Sequence, residues 1–151
     1  MDAATVQKSI LAGDVELSEN SNPPKDQAQP NAGKSQPELL ILFGSNTGTC
    51  QTLAQRLSSD AEGHGFRSKV VTMDSGIAEI QSGNTSAVVI VTASYEGQPP
   101  DNAAHFVEWV NQSDNLNFHS LQYSVFGCGH SDWATTFLRI PTLVDQKLAQ
   151  A

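Results

Sequence analysis

The sequence predicts a three-layer α/β fold, in which a parallel sheet carries helices on both faces. From residue 38 onward, short apolar runs alternate with segments of helical periodicity. The runs 39–43 and 87–93 are almost continuously apolar, as expected of strands that are buried on both faces of a parallel sheet. Alternating strands and helices favour right-handed crossovers between parallel strands.

The first predicted strand, 39–43, leads into a helix from Cys50 to about Glu62, whose apolar residues recur at helical spacing. The breaker GHGF ends that helix. Residues 68–73 then form the second predicted strand, and residues 77–80 form a short helix or turn. This part of the chain therefore predicts two parallel strands joined by one crossover helix.

The third predicted strand, 87–93, has the strongest strand pattern in the chain. After the breaker GQPP, Asp101 is the candidate N-cap of the next helix. The fourth predicted strand is LQYSVFG, residues 121–127. The last helix begins near Pro141, because proline suits the first turn of a helix.

Residues 1–37 differ in composition from the rest of the chain. They contain no aromatic residue and four of the seven prolines. Such a segment buries too little apolar surface to offset the entropy lost when it becomes ordered. We therefore predict a disordered leader or interdomain linker over residues 1–37 and one α/β domain over residues 38–151.

Charge and cysteine content narrow the functional classes. The 151 residues carry a formal net charge of −8, which argues against binding to nucleic acid or to an anionic membrane surface. No apolar run approaches the ~20 residues of a membrane helix, and the N-terminus lacks the pattern of a signal peptide. Cys50 and Cys128 form no CxxC pair and suit a reducing compartment. We therefore expect a soluble cytoplasmic protein without a metal site.

Three polar loops follow the first, third and fourth predicted strands. Their sequences are GSNTGT at 44–49, ASYEGQPPDN at 93–102 and GCGHSDW at 127–133. In open α/β sheets, ligands bind at the carboxyl ends of the strands near the point where the strand order reverses. We therefore expect the three loops to meet at one edge of the sheet.

The loop at 44–49 is rich in hydrogen-bond donors but has no basic residue. It matches neither GxxxxGK[ST] nor GxGxxG, and no lysine lies between Lys34 and Lys69. Its hydroxyls and backbone N–H groups stand at the N-terminus of a helix, which favours an anion. One interpretation is a phosphate monoester held by hydrogen bonds. The other is an ordinary strand-to-helix turn with Thr47 or Thr49 as N-cap.

Each of the other two loops contains one aromatic residue, Tyr95 in the first and Trp133 in the second. Either ring can stack on a planar ligand. Alternatively, Tyr95 can pack on its own loop and Trp133 can cover the core. A phosphate cradle and two aromatic residues at one edge of a sheet suit a flat ring with a phosphate tail, as in FMN.

Three stretches carry a family resemblance: LFGSNTGT, IVTASYEGQPPDNAAHFVEW and YSVFGCGHSDWATTF. Together they resemble the flavodoxin-like FMN-binding domains of diflavin reductases. They are specifically similar to the self-sufficient fusions of a fatty-acid-hydroxylating cytochrome P-450 with its own NADPH–cytochrome P-450 reductase. The resemblance covers residues 38–151. It implies a doubly wound parallel sheet with the four predicted strands in the order 2-1-3-4, truncated so that the family's fifth strand is missing.

The resemblance also implies which residues contact FMN. None of them acts as an acid, base or nucleophile, because the flavin carries the redox chemistry. The implied contacts are Ser45, Asn46, Thr47, Gly48 and Thr49 for the phosphate, Ala93 and Ser94 for the ribityl chain and ring edge, Tyr95 and Trp133 for the two ring faces, Glu96 and Gly97 for the loop near N5, Cys128 and Gly129 for the pyrimidine side, and Thr136 close by. His130 is expected in a turn near the cofactor, without a ligand role.

The resemblance implies an electron-transfer module of an oxidoreductase. FMN would accept electrons from an NADPH-reduced FAD domain and pass them singly to a cytochrome P-450 haem domain. FAD, NADPH and haem are then expected on domains or partners outside this chain. Two alternatives remain open: a free-standing flavodoxin-like carrier or quinone reductase, and a truncated non-redox remnant that acts as an interaction protein.

Overall fold

The computed structural model describes residues 2–6, 36–113, 118, 120–132 and 135–151. Within these residues the structure has five strands, four α-helices and one short 3-10 helix. The strands are β1 (Asp2–Val6), β2 (Glu38–Gly44), β3 (Arg67–Thr72), β4 (Ala87–Ala93) and β5 (Gln122–Gly129). The helices are α1 (Thr49–Gly63), α2 (Met73–Gln81), α3 (Ala104–Gln112) and α4 (Arg139–Gln150), with the 3-10 helix at Asp101–Ala103. No helix in this described part of the chain is long and apolar enough to span a membrane.

The strands form a single sheet in the order β1-β5-β4-β2-β3. The strands β2, β3, β4 and β5 run parallel to their neighbours. In the central strand, Ile41 lies opposite Val70 of β3 on one side and Val89 of β4 on the other. The parallel order confirms the predicted 2-1-3-4 arrangement of the four predicted strands.

The two faces of the sheet carry separate apolar clusters. Side chains alternate along β2, so that Leu42 faces one cluster and Ile41 faces the other, and both are fully buried. Helix α1 covers the face of Ile41 through Cys50 and Ala54. Helices α2, α3 and α4 cover the opposite face, where Phe106 of α3 is fully buried. The predicted three-layer arrangement is therefore confirmed.

The structure differs from the sequence prediction at residues 2–6. These residues form β1, which pairs antiparallel with β5 from Asp2 opposite Gly129 to Val6 opposite Val125. The edge of a sheet offers unpaired N–H and C=O groups, which an extended segment can satisfy through its own backbone. The parallel part of the sheet ends at β5 as predicted, but β1 adds an antiparallel fifth strand beside it. Residues 7–35 of the predicted leader lie outside the described residues.

Two helices begin earlier than the sequence pattern indicated. Helix α2 begins at Met73, because the Oγ1 atom of Thr72 accepts the N–H of Ser75 at 3.2 Å and caps the helix. Helix α4 begins at Arg139 rather than near Pro141.

The start of α3 also differs from the prediction, which made Asp101 its N-cap. Asp101 instead begins the 3-10 helix. The N-cap residue of α3 is Ala103, whose side chain makes no capping hydrogen bond. The acceptor comes from a neighbouring helix, since the N–H of Phe106 donates to Oδ1 of Asp74 at 2.8 Å. A tertiary contact therefore supplies the acceptor for a backbone N–H group in the first turn of α3.

Candidate functional site

A cavity of about 490 Å³ opens at the carboxyl ends of β2, β4 and β5. Its size is in the range of small-molecule and cofactor sites. The three predicted loops and the segment before α4 all contribute to its wall. The lining residues are Thr47, Thr49, Cys50, Ala93, Ser94, Tyr95, Glu96, Cys128, Gly129, His130, Thr136, Phe137 and Leu138.

The loop between β2 and α1 presents hydroxyl groups and the N-terminus of a helix to this cavity. Gly48 is the N-cap of α1, with a φ of 84°, and no side chain caps the helix from that position. The Oγ atom of Ser45 accepts the Gly48 N–H at 2.9 Å and closes the loop. The hydroxyls of Thr47 and Thr49 lie 3.4 Å apart, and both residues line the cavity. The first N–H groups of α1 are thus left to face an anion, which the helix dipole also favours.

The same loop is held in place by the segment that precedes α3. The Ser45 N–H donates to Oδ1 of Asn102 at 3.0 Å. In the reverse direction, Oδ1 of Asn46 accepts the N–H of Asp101 at 2.9 Å. Two asparagine side chains therefore lock the first loop to the end of the second. Asn102 was not predicted as a site residue, because nothing in its local sequence reveals a partner 57 residues away.

Tyr95 lines the cavity and joins the second loop to the first. Its Oη atom accepts the Asn46 N–H at 3.0 Å and lies 3.4 Å from Oγ1 of Thr47. Burial acts to raise the pKa of the Tyr95 phenol, but the hydrogen bonds from Thr47 and Asn46 outweigh it and lower that pKa. The phenol oxygen therefore occupies a position where the loop stabilises negative charge.

The residues after Tyr95 form a tight two-residue turn. Tyr95 and Gln98 exchange backbone hydrogen bonds of 2.9 and 2.8 Å, and the φ angles of Glu96 and Gly97 are 52° and 79°. Positive φ at both central residues defines a type I′ turn, which glycine adopts freely and glutamate does not. A Cβ atom on Gly97 would lie 3.0 Å from Nη1 of Arg139, so that side chain packs directly over the turn.

The N-terminus of α4 closes the far side of the cavity. Its N-cap is Leu138, a non-glycine residue with a φ of 55°. The N–H of Ile140 in the first turn donates to Oγ of Ser94 at 2.8 Å. Ser94, at the end of β4, thus acts as the cap that Leu138 does not supply. Backbone strain at Glu96 and Leu138 therefore coincides with the cavity wall, as is common at ligand sites.

The wall formed by β5 ends in Cys128, Gly129 and His130. A Cβ atom on Gly129 would lie 3.0 Å from Cδ2 of Phe137, so the Phe137 ring packs closely against the backbone of this part of the wall. Nδ1 of His130 accepts the N–H of Asp132 at 3.2 Å and lies 3.4 Å from its carboxylate. His130 therefore lies in a turn at the cavity, held by its neighbour.

Most of the predicted site residues come together in this structure. Thr47, Thr49, Ala93, Ser94, Tyr95, Glu96, Cys128, Gly129 and Thr136 line the cavity, while Ser45, Asn46, Gly48 and Gly97 lie in the loops that border it. Trp133 lies outside the described residues. Sequence reasoning missed Cys50, Phe137 and Leu138 as lining residues. The sequence pattern places Cys50 in the apolar stripe of the first predicted helix. Phe137 ends the stretch YSVFGCGHSDWATTF without an implied site role, and Leu138 lies in none of the three stretches.

Comparison with known proteins identifies the family. The flavodoxin family model matches residues 41–151. The chain belongs to the flavodoxin family. It is 46% identical over 142 residues to a bifunctional cytochrome P-450/NADPH–P-450 reductase of Fusarium oxysporum, covering 92% of this chain and 13% of that protein. It is 38% identical over 151 residues to such an enzyme of Aspergillus oryzae, covering 99% of this chain and 14% of that protein. The chain thus spans only a small part of the curated relatives that it matches.

Solved structures show the same fold. A cysteine mutant of the flavodoxin from Pseudomonas aeruginosa superposes with a TM-score of 0.64 at 23% identity, over 75% of each chain. A short-chain flavodoxin associated with a bacterial microcompartment superposes with a TM-score of 0.64 at 15% identity, over 77% of this chain and 76% of that one. The predicted flavodoxin-like architecture is therefore confirmed.

Flavodoxin domains bind FMN, and the cavity suits this cofactor. The described part of the cavity lining contains neither lysine nor arginine, so N–H groups and hydroxyls would meet the phosphate charge. Two small residues, Ala93 of β4 and Gly129 of β5, line the cavity. Small side chains would let a flat ring come close to the backbone of these strands. Tyr95 lines the cavity, and its hydroxyl bonds to the loop 44–49. The donor set and the shape of the wall both fit a ring with a phosphate tail.

Proposed function

We propose that this chain binds FMN in the cavity and acts as the electron-transfer module of an oxidoreductase. It would pass single electrons from an NADPH/FAD reductase domain to a cytochrome P-450 haem domain. The observation that carries this proposal is the convergence of an uncharged, donor-rich loop, the Tyr95 turn and the end of β5 on one cavity. The fungal relatives, which are fusions of cytochrome P-450 and reductase, support the choice of partners.

The phosphate end of the proposed site is the loop 45–49. The Thr47 and Thr49 hydroxyls and the first N–H groups of α1 would bind the phosphate oxygens. Hydrogen bonds to an anion are about twice as strong as bonds between neutral groups, which compensates for the missing lysine. Ser45 and Asn46 act through the loop, since their hydrogen bonds to Gly48 and Asp101 fix its shape.

The ring end of the proposed site lies between the Tyr95 turn and the β5 wall. Tyr95 and Trp133 are proposed for the two faces of the ring, and Cys128 and Gly129 for its pyrimidine edge. Bound FMN supplies the one-electron and two-electron redox chemistry, and the protein supplies binding, orientation and electrostatics. The type I′ turn at 96–97 holds backbone N–H and C=O groups at the rim of the cavity, where they can bond to the ring edge.

The charges near the cavity suit a basic partner surface. Glu96, Asp101 and Asp132 are exposed on the loops that border the cavity. Acidic side chains outnumber basic ones here, where Arg139 packs over the 96–97 turn. An excess of one sign steers and orients an oppositely charged partner. Both cysteines are free thiols, which suits a reducing compartment, and we propose the cytoplasm.

Equilibrium titration with FMN and with riboflavin tests the proposal. The chain should quench the fluorescence of FMN, and riboflavin should bind at least about tenfold more weakly, because it lacks the phosphate that the loop 45–49 would hold. Thr49→Ala should weaken FMN binding and leave riboflavin binding almost unchanged. Thr47→Ala also removes a contact of the Tyr95 hydroxyl, so it should weaken the binding of both ligands, and that of FMN more. The matched control is Ser59→Ala, which deletes a hydroxyl that bonds within α1 at the Gln55 carbonyl.

Two results would contradict the proposal. One is the absence of any FMN binding by the folded chain, which would favour the non-redox alternative. The other is equal affinity for FMN and riboflavin, which would remove the phosphate role from the loop 45–49.

A further inference from the structure

Two cysteine thiols meet in the wall of the cavity. Cys50 lies in the first turn of α1, and Cys128 lies near the end of β5. They are 1% and 5% exposed, and they belong to the same apolar cluster. Both also line the cavity, which is therefore the side from which a small reagent would approach them. The proposed FMN site uses Cys128 only as part of the wall and gives Cys50 no role.

A hydrogen bond between the two thiols makes them chemically unequal. This bond, in which Cys50 is the donor, is the main reason that the pKa of Cys50 is raised, and burial adds to the effect. The same bond lowers the pKa of Cys128, although burial opposes it. The thiolate is the reactive form of cysteine, so Cys128 is the better nucleophile of the two. Cys50 is then placed to act second.

We propose that Cys50 and Cys128 form a redox-active thiol pair, which a low-molecular-weight disulfide such as oxidised glutathione converts to an intramolecular disulfide. In the first step the Cys128 thiolate attacks the glutathione disulfide, a mixed disulfide forms, and one glutathione leaves as a thiolate. That thiolate takes the proton of Cys50. The Cys50 sulfur then attacks the Cys128 sulfur, the second glutathione leaves, and it is protonated from water. Two protein thiols are oxidised, and one glutathione disulfide is reduced to two thiols.

The disulfide would connect two separate walls of the cavity. Disulfide geometry requires Cα atoms about 4.4–6.8 Å apart, so the bond would tie the first turn of α1 firmly to the end of β5. The first turn of α1 forms the proposed phosphate end, and β5 forms the opposite wall. Oxidation should therefore weaken FMN binding, and bound FMN should shield the thiols. This coupling rests on the proposed function, whereas the thiol chemistry does not.

The chemistry is tested on the full chain, which contains only these two cysteines. After incubation with oxidised glutathione, intact mass spectrometry of the wild-type chain should show the loss of two hydrogen atoms and no retained glutathione. Cys50→Ala should instead retain one glutathione on Cys128. In the wild-type chain, brief alkylation with limiting iodoacetamide should label Cys128 at least about tenfold more than Cys50, because only the intact pair lowers the pKa of Cys128.

Two controls make the result decisive. In urea the two cysteines of the wild-type chain should be alkylated equally, which shows that the native difference comes from the fold. Circular dichroism checks that both single-cysteine variants fold without urea. The proposal would be overturned if the wild-type chain retained two glutathiones, did not react, or had its two cysteines alkylated equally in the folded state. If the chain forms the disulfide but binds no FMN, the thiol-pair proposal stands and only the proposed function is refuted. An FMN affinity that oxidation leaves unchanged would overturn the coupling.

Discussion

Gly44 and Gly48 border the same loop, and the structure requires glycine at each for a different reason. A Cβ atom on Gly44 would lie 2.6 Å from Oγ1 of Thr92, 2.9 Å from Cβ of Ala103 and 2.9 Å from Sδ of Met73. All three neighbours are fully buried, so they have little room to move away. On Gly48, which has a φ of 84°, an added Cβ atom would meet nothing within 4 Å. Gly44 is therefore required by packing and Gly48 by its backbone conformation.

Gly44→Ala should destabilise the fold by about 2 kcal/mol, within the usual range for overpacking a core. For a chain of this size that corresponds to a fall in Tm of about 4–8 °C. Gly48→Ala should cost only about 1 kcal/mol, the strain of placing an L-residue in the left-handed region. Because the strain is conformational, Gly48→Asn should cost less than Gly48→Ala, whereas Gly44→Asn should cost more than Gly44→Ala.

Urea denaturation followed by circular dichroism measures these differences, with the slope m expected to stay constant. The reasoning would be refuted if Gly44→Ala were as stable as wild type, or if Gly48→Ala were the more damaging change. Either result would mean that the end of β2 is not packed as closely against α2 and the 3-10 helix as the structure shows.

Two further predictions concern Tyr95 and Ser94. The chain has two tyrosines. Burial acts to raise the pKa of Tyr95, but its hydrogen bonds with the first loop outweigh burial and lower that pKa. Burial and the Asp145 carboxylate raise the pKa of Tyr123. A spectrophotometric titration should show one step below and one above the ordinary value of ~10, and Tyr95→Phe should abolish the lower step. The free energy of unfolding should rise with pH between the lowered Tyr95 pKa and the ordinary value, because in this range the unfolded chain keeps a proton that the folded chain has lost. A titration with a single step at the ordinary value would contradict both expectations. Ser94→Ala should cost about 1 kcal/mol in urea denaturation, because the Ile140 N–H loses its acceptor, and the matched Ser59→Ala should cost less than about 0.5 kcal/mol; equal costs would contradict the capping role.

The parallel sheet could be predicted from the sequence because its signal is local. Apolar runs such as 39–43 and 87–93 are buried on both faces, and their periodicity reveals them without knowledge of their partners. The loops that follow these strands then meet at one edge, because parallel strands place their carboxyl ends together. The loops 44–49, 93–102 and 127–133 could therefore be assigned to one edge from three separate stretches of sequence, whereas the site role of Cys128 came from the family resemblance.

What escaped prediction depends on partners that are distant in sequence. β1 is held by backbone pairing with β5, and backbone groups leave no pattern in side-chain composition. Asn102 orients the first loop through one side-chain hydrogen bond. Leu138 lines the cavity as the N-cap of α4, in the left-handed conformation. The hydroxyl that accepts the N–H of Ile140 in the first turn of this helix belongs to Ser94. Each of these contacts exists only once the chain is folded.

Reconstituted electron transfer tests the central proposal most directly. The FMN-loaded chain would be mixed with the cytochrome P-450 part and the NADPH–P-450 reductase part of the Fusarium oxysporum relative, the reductase without the segment that matches this chain. Haem reduction by NADPH would be followed by stopped-flow absorption under carbon monoxide. The proposal predicts that haem reduction depends on both the chain and its FMN, and that it slows as ionic strength rises, because charged surfaces guide the encounter. Haem reduction no faster with the FMN-loaded chain than with the FMN-free chain would contradict the proposal.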